Sequence, residues 1–327
     1  MTTSRTPDHV EWPTLAVAAA IIGGFAAILL VQDHLPTAAV IVALAVLGAW
    51  YTSLQHEVIH GHPTPWRNVN ALLAALPLDL VTRIADYRDQ HLLHHRTEDL
   101  TDADLDPESF YVSPQTWHRA GPLRRAGILA MRTLAGRLVL GPFVAAWRHW
   151  RRGIASMRSP AGVARVVGHI GAATLVVLVV RASGLSVWVY VAGVCWAGGG
   201  LSLLRSFAEH RLPERGSRSA VVRAGTFFSL LFLNNNLHHT HHARPGVPWY
   251  ELPRVHDAID GASAAAAGAG LYRGYWEVAW RFLVRPFDVP VAGVAGVAEL
   301  PPTSPTAVVW AAPTVATLRA AGMEHAG

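Results

Sequence analysis

Four stretches of the chain are almost uninterrupted runs of apolar residues: Thr14 to Gln32, Pro36 to Leu54, Val163 to Val180 and Leu185 to Leu204. A helix needs roughly 20 mostly apolar residues to cross a bilayer, so each run predicts a membrane span. Only a short turn separates the members of each pair, which predicts two hairpins. The intervening pattern is different. Val69 to Val81 is apolar but broken by Pro77 and Asp79 and too short to span, which predicts a re-entrant or interfacial helix. Tyr87 to Arg96 reads as a helix, Thr97 to Pro107 is acidic and turn-like, and the acidic run Asp99 to Glu108 reads as a solvated loop. Apolar patches alternate with arginines from Trp117 to Arg158, as in an amphipathic helix lying on a membrane surface. A further helix is predicted from Thr226 to His242, stopped by Pro245, Pro248 and Pro253, and more helix from Arg254 to Asp288. The expected organisation is a polar leader at 1–13, a membrane domain at 14–288 and a loosely ordered tail at 289–327. The fold class expected is all-α: four transmembrane helices in two hairpins with a cytoplasmic helical cap.

Charge sets an orientation on this plan. The chain carries a net charge of +5, and every basic side chain apart from histidine is an arginine. The arginines gather beside the apolar runs, particularly between Arg67 and Arg165, whereas the turn Asp33-His34-Leu35 has none. The positive-inside rule then predicts that the middle segment and both termini are cytoplasmic in a bacterial-type inner membrane. A basic balance distributed this way argues for membrane lipids and against nucleic acid as a partner. No cleavable signal peptide is evident, since Arg5, Asp8 and Glu11 precede the first run without a cleavage site. The lone Cys195 lies inside an apolar run, so it has no partner for a disulfide or a cysteine-based metal site.

Chemistry enters with three histidine clusters: His56-Glu57-Val58-Ile59-His60, His91-Leu92-Leu93-His94-His95 and His238-His239-Thr240-His241-His242. Imidazole is a ligand for iron, copper, zinc and nickel. Residues three and four apart share a helical face, so each cluster would aim imidazoles in one direction. The set is too large for one tetrahedral zinc and suits two ions. With an even number of spans between them, all clusters fall on the same side of the membrane. The first cluster taken alone matches the HExxH pattern of zinc proteases, with Glu57 as the base, but a protease leaves the other clusters unexplained. Glu57 and Glu209 either orient a neighbouring imidazole or are solvated carboxylates. Asn234, Asn235 and Asn236 either hydrogen-bond a ligand or mark a polar helix end. The run Gly198-Gly199-Gly200 suits close helix packing or the lining of an acyl tunnel.

The order and spacing of these clusters, between Leu54 and Pro253, resemble the membrane fatty acid desaturase superfamily, which includes acyl desaturases, alkane hydroxylases and carotenoid hydroxylases and ketolases. His60-Gly61-His62-Pro63-Thr64, Asp106-Pro107-Glu108-Ser109-Phe110 and the segment His241 to Pro253 are similar to stretches of bacterial desaturases and carotenoid ketolases. The resemblance implies a centre of two Fe ions held by His56, His60, His91, His94, His95, His238, His241 and His242. His210 matches a further histidine that follows the fourth span. Ser206 departs from the asparagine that acyl-CoA enzymes carry four residues earlier. His62 and His239 are extra, as further ligands, supports of a ligand or surface residues.

The implied activity is O2-dependent oxidation of an unactivated C–H bond, foremost as a fatty-acyl or lipid desaturase. Hydroxylation or ketone formation on an alkane, carotenoid or other hydrophobic metabolite is the alternative; a membrane zinc protease and a non-catalytic metal carrier are the other readings. No haem-binding or iron–sulfur motif is present, so electrons would come from an external ferredoxin or reductase.

Overall fold

The computed structural model describes residues 6–213 and 215–291. Helix α1, Trp12–Val31, carries Pro13 in its first turn, where a missing N–H and a fixed φ are tolerated. A single 3₁₀ turn, Gln32–His34, and Pro36 separate it from α2, Thr37–Ile59. Val17, Ala18, Ile21 and Phe25 form one stripe of α1, and Val40, Leu44, Tyr51 and Leu54 the matching stripe of α2. The other faces are equally apolar yet exposed, as at Ile22, Leu30 and Val42. A helix that is hydrophobic all round is at home only in a protein core or a membrane. Among the described residues, four helices, 12–34, 37–59, 160–182 and 187–207, are each long and apolar enough to cross a bilayer.

Short helices follow α2: α3, Arg67–Leu73, and α4, Ile84–His94. The predicted helix at 69–81 is therefore only partly formed. The Asp79 carboxylate accepts from the N–H groups of Val81 and Thr82, and Leu80 takes a positive φ of 58°, so the chain turns there. The single surface helix predicted at 117–158 also divides, into α5, Pro114–Arg119, α6, Pro122–Ala130, and α7, Leu134–Ser156. Gly121 and Pro122 break the first junction. The Thr133 hydroxyl caps the start of α7 at Gly136 N–H, and α6 and α7 meet at 110°. Helix α7 is amphipathic in an unusual sense: Phe143, Trp147 and Ile154 face outward while Arg137 is buried.

Helix α8, Pro160–Ala182, precedes a second long helix that starts as α9, Val187–Tyr190, widens to a π-helical stretch at Val191–Gly198 and continues as α10, Gly199–Phe207. This helix lies very close to α2 and α7. A Cβ at Gly193 would stand 2.7 Å from Leu44 Cβ, and one at Gly200 would stand 2.9 Å from the Leu138 carbonyl. The glycine run thus provides close helix approach, as its composition predicts.

The remaining chain forms a helical layer over the ends of α2 and α10. It comprises β1, Val221–Val222, α11, Thr226–Leu231, α12, His238–Ala243, α13, Leu252–Ala258, α14, Gly261–Ala266, β2, Leu271–Tyr272, and α15, Tyr275–Phe282. The fold is mostly helical; β1 and β2 form one minimal parallel pair. The predicted helix from Thr226 to His242 is interrupted. Leu233 and Asn234 adopt left-handed φ of 47° and 55°, and Asn234 Nδ2 donates to the Trp249 carbonyl. A helix cannot continue through two such residues. Phe207, Phe232, Tyr272, Tyr275, Phe282 and Phe287 fill the core beneath this layer. Of the predicted tail, residues 292–327 lie outside the described residues; Val291 packs on Trp117.

Candidate metal centre

Nine imidazoles converge at the ends of α2 and α10, in two groups. One contains His56, His60, His91, His95 and His241; the other contains His94, His210, His238 and His242. Helices α4 and α12 each serve both groups. On α4, His91 and His95 turn to the first group and His94 to the second. On α12 the roles reverse: His238 and His242 turn to the second and His241 to the first. Residues four apart lie on one stripe of a helix and the residue between is rotated away. Spacing had predicted that each cluster aims in a single direction; instead each helix sits between two centres and divides its imidazoles.

Within each group the Nε2 atoms face one another. His60 to His91 is 3.0 Å, His91 to His95 3.1 Å and His95 to His241 3.1 Å. In the second group His94 to His210 is 3.1 Å, His210 to His238 2.9 Å and His238 to His242 3.1 Å. Among the described residues, the buried Nε2 of His56 has no hydrogen-bond partner. Nitrogens about 2.1 Å from a shared cation and at right angles to each other stand about 3 Å apart. The donor sets therefore fit one cation in each group.

Protonation and orientation support that fit. Burial first, and repulsion between neighbouring imidazoles second, keep His60, His238, His241 and His242 well below the usual histidine range. The same causes push His95 down to about 2 and His210 down to about 3. These rings are neutral and carry the lone pair that a metal needs. The far nitrogen of several rings is held in place. His91 Nδ1 lies 2.9 Å from Glu108 Oε1, and His94 Nδ1 lies 2.7 Å from Asp106 Oδ1. His238 Nδ1 is 3.2 Å from Asn235 Oδ1 and 3.4 Å from Glu209 Oε1, and His210 Nδ1 is 3.2 Å from the Arg218 carbonyl. Donation from Nδ1 leaves Nε2 as the free donor atom and fixes the ring plane. Against the cost of burial, Glu108 and the hydrogen-bonded Asp106 hold His94 above the usual range. Burial lifts Glu209 to about 7 against the pull of Arg205.

Several expectations change here. The acidic run is not a simply solvated loop, because Asp106 is buried and Asp106 and Glu108 are its contacts with the histidines. Asn234 bonds Trp249, and its neighbour Asn235 reaches His238 and Glu209. Glu57 accepts from the Trp249 N–H and stands 4.0 Å from His56 Nδ1, while Glu209 pairs with Arg205. His62 binds Glu11 at 2.6 Å and His239 meets the Ser217 hydroxyl, so neither belongs to a group. Sequence reasoning passed over Asp106 and Glu108 as partners, whereas Asn235 is one of the three asparagines it allowed as hydrogen-bond partners of a ligand. The one usable signal was the Asp106 to Phe110 segment that resembles the stretch after the second histidine box. Beside the site a cavity of about 300 Å³ runs from His210 and Glu209 past Ser206 to Gly48 and Cys195.

A model of the family described as Fatty acid desaturase matches residues 33–276. The chain belongs to that family. The match spans all three histidine clusters, His210 and the carboxylates that support them. A comparison with curated proteins gives no match. As a member of the fatty acid desaturase family, with four apolar helices and grouped histidines, the chain is an integral membrane oxidoreductase with a metal-binding site.

Proposed function

We propose that this desaturase-family protein binds two irons and uses O2 to introduce a double bond into a lipid acyl chain. The carrying observation is the pair of histidine groups, each closing its Nε2 atoms to about 3 Å. Iron held there would supply the activation of O2 and the oxidising power to remove hydrogen from an unactivated carbon. His56, His60, His91, His95 and His241 would hold one ion, and His94, His210, His238 and His242 the other. Asp106, Glu108, Asn235 and Glu209 hold the imidazoles in plane, with Nε2 left free for the ion. The cavity beside His210 receives the chain. In balance, the substrate loses two hydrogens, an external donor such as a ferredoxin or reductase provides two electrons, two protons come from the medium, and O2 becomes two waters.

A zinc protease accounts for the arrangement poorly. Such a site uses about three protein ligands and leaves its glutamate facing the open position; here Glu57 is bound to the Trp249 backbone. A metal carrier would need polar ligands along the spans, whereas the imidazoles gather at one end. Hydroxylation or ketone formation is the second reading, favoured by Ser206 standing beside the cavity where acyl-CoA enzymes carry asparagine. Membranes given labelled acyl substrate, a reductase system and ¹⁸O₂ separate the readings. Desaturation gives an alkene without label; an ¹⁸O-labelled product without a new double bond would replace the desaturase by a hydroxylase.

The arginine asymmetry supports an orientation with the histidine site and both termini in the cytoplasm and the turn before Thr37 outside. Both test positions, Thr37 and Gln115, are exposed. In a background lacking Cys195, a cysteine at Thr37 is expected to react with a membrane-impermeant thiol reagent on intact cells, and one at Gln115 only after lysis. The opposite pattern would invert the orientation.

A further inference from the structure

Three arginines of α7, namely Arg137, Arg148 and Arg152, line the cavity beside the histidine site. The other buried arginines nearby have carboxylate partners: Arg83 pairs with Asp86, Arg205 with Glu209 and Arg132 with Asp288. Among the described residues, the three on α7 have only neutral acceptors. Arg137 is 2% exposed; its Nε donates to the Met131 carbonyl at 3.0 Å, and its buried Nη1 has no partner. Arg148 donates only to the Ser109 carbonyl, at 3.3–3.4 Å. Arg152 donates to the Pro107 carbonyl at 3.2 Å and to Gln90 Oε1. The Phe110 ring brings two of these cations together, with Arg137 Cζ 3.4 Å and Arg148 Cζ 5.8 Å from its centroid.

Guanidinium stays charged in proteins, and burying a charge without a counter-charge is costly. Asp106 acts on Arg148 and Glu108 on Arg152 only through space, without a hydrogen bond, and among the described residues no carboxylate pairs with buried Arg137, so the cavity presents guanidinium donors that no carboxylate engages directly. Amphipathic α7 turns these arginines inward and its large apolar side chains outward, the reverse of what a soluble helix needs. Elsewhere the cavity lining includes small or apolar residues, at Gly48, Val194, Cys195 and Gly199. We infer that the cavity takes an amphiphile whose compact oxyanion head, a carboxylate or a monophosphate, sits on Arg137, Arg148 and Arg152 while its apolar chain runs towards Gly48 and Cys195. Arginine's planar fork suits both anions, bidentately. The depth of Arg137 excludes a bulky head. The inference rests on the reading of this cavity as the acyl site, and it narrows the substrate to one that carries its charge directly on the chain.

Binding tests this without turnover. Protein in nanodiscs is titrated calorimetrically with laurate, lauryl phosphate, dodecanol and lauroyl-coenzyme A. At least one of the two compact anions is expected to bind about tenfold or more tighter than dodecanol, and the better of the two identifies the head. Arg148→Gln and Arg152→Gln should each remove most of that preference while leaving dodecanol binding unchanged, with metal content measured in parallel because both also hold the backbone at Pro107 and Ser109. Both are only partly buried, so they keep the test open if Arg137→Gln does not fold. Equal affinity for anions and alcohol, an unaltered preference in both variants, or tight binding confined to lauroyl-coenzyme A would overturn the inference. A chain that binds laurate with this preference but forms no oxidised product would refute the proposed reaction and leave the anion site standing.

Discussion

Replacing His94 with alanine is expected to reduce product formation to background and to lower bound iron from about two ions per chain to about one. His94 belongs to the group of four, where its Nε2 stands 3.1 Å from His210 and 3.3 Å from His242. Removing it leaves three imidazoles, while the five of the other group keep their full set. A two-ion site that loses one ion keeps its neighbour but loses the paired chemistry. His34→Ala is the control, because His34 is exposed in the turn between α1 and α2 and belongs to neither group. Metal analysis of matched membrane preparations decides the matter. Normal turnover in the His94 variant, or one zinc and no iron in the unmodified chain, would remove the di-iron reading.

The second large effect is expected at Asp106. Its Oδ1 accepts from His94 Nδ1 at 2.7 Å and from Glu108 N–H at 2.9 Å, and Oδ2 accepts from Thr101 N–H at 2.9 Å. Despite burial, these donors hold the carboxyl below the ordinary range, so it is ionised at neutral pH. Asp106→Ala leaves three donors facing a gap, and each unsatisfied buried group costs about 1–3 kcal/mol. It also frees the His94 ring, and loss of such a support weakens metal binding by about 10–100-fold. Asp106→Asn should be milder, since one oxygen still accepts. Asp104 lies in the same loop but is exposed, so Asp104→Ala should match the unmodified chain. Iron release to a competing chelator, followed together with thermal unfolding, reads both terms. An Asp106→Ala protein that keeps its iron as tightly as the Asp104→Ala protein would show that the loop does not support the site.

Long-period features of this fold were legible in the sequence and short-range breaks were not. The four apolar runs lie within or beside the long helices because bilayer length and hydropathy are properties of whole segments. The apolar stretch from Thr226 through Leu233 looks like uninterrupted helix, yet two left-handed residues end it. The three asparagines that follow tolerate that conformation and were the available sign. At the histidines, spacing showed that imidazoles would gather but not that α4 and α12 would divide theirs. That division depends on where each helix sits between the two groups. Asp106 and Glu108 read as solvated because their partners, His94 and His91, lie on another element. Glu57 is similar: its partner is the backbone of Trp249, on the far side of the sequence. Local pattern carries no information about such pairs.

The β1 pairing has a consequence for the order in which the site can be made. One edge of β1 bonds β2, with Val221 on Gly270 and Arg223 on Tyr272. The other edge holds the third histidine cluster, through Val222 to Asn236 and His239 to Ala220. The scaffold of His238, His241 and His242 is therefore complete only when residue 272 has left the ribosome. His56 leaves about 200 residues earlier, on the order of 10–40 s at ordinary translation rates. Metal capture is thus a late step in biogenesis, and a nascent chain halted before Tyr272 would display its first two clusters without a closed site.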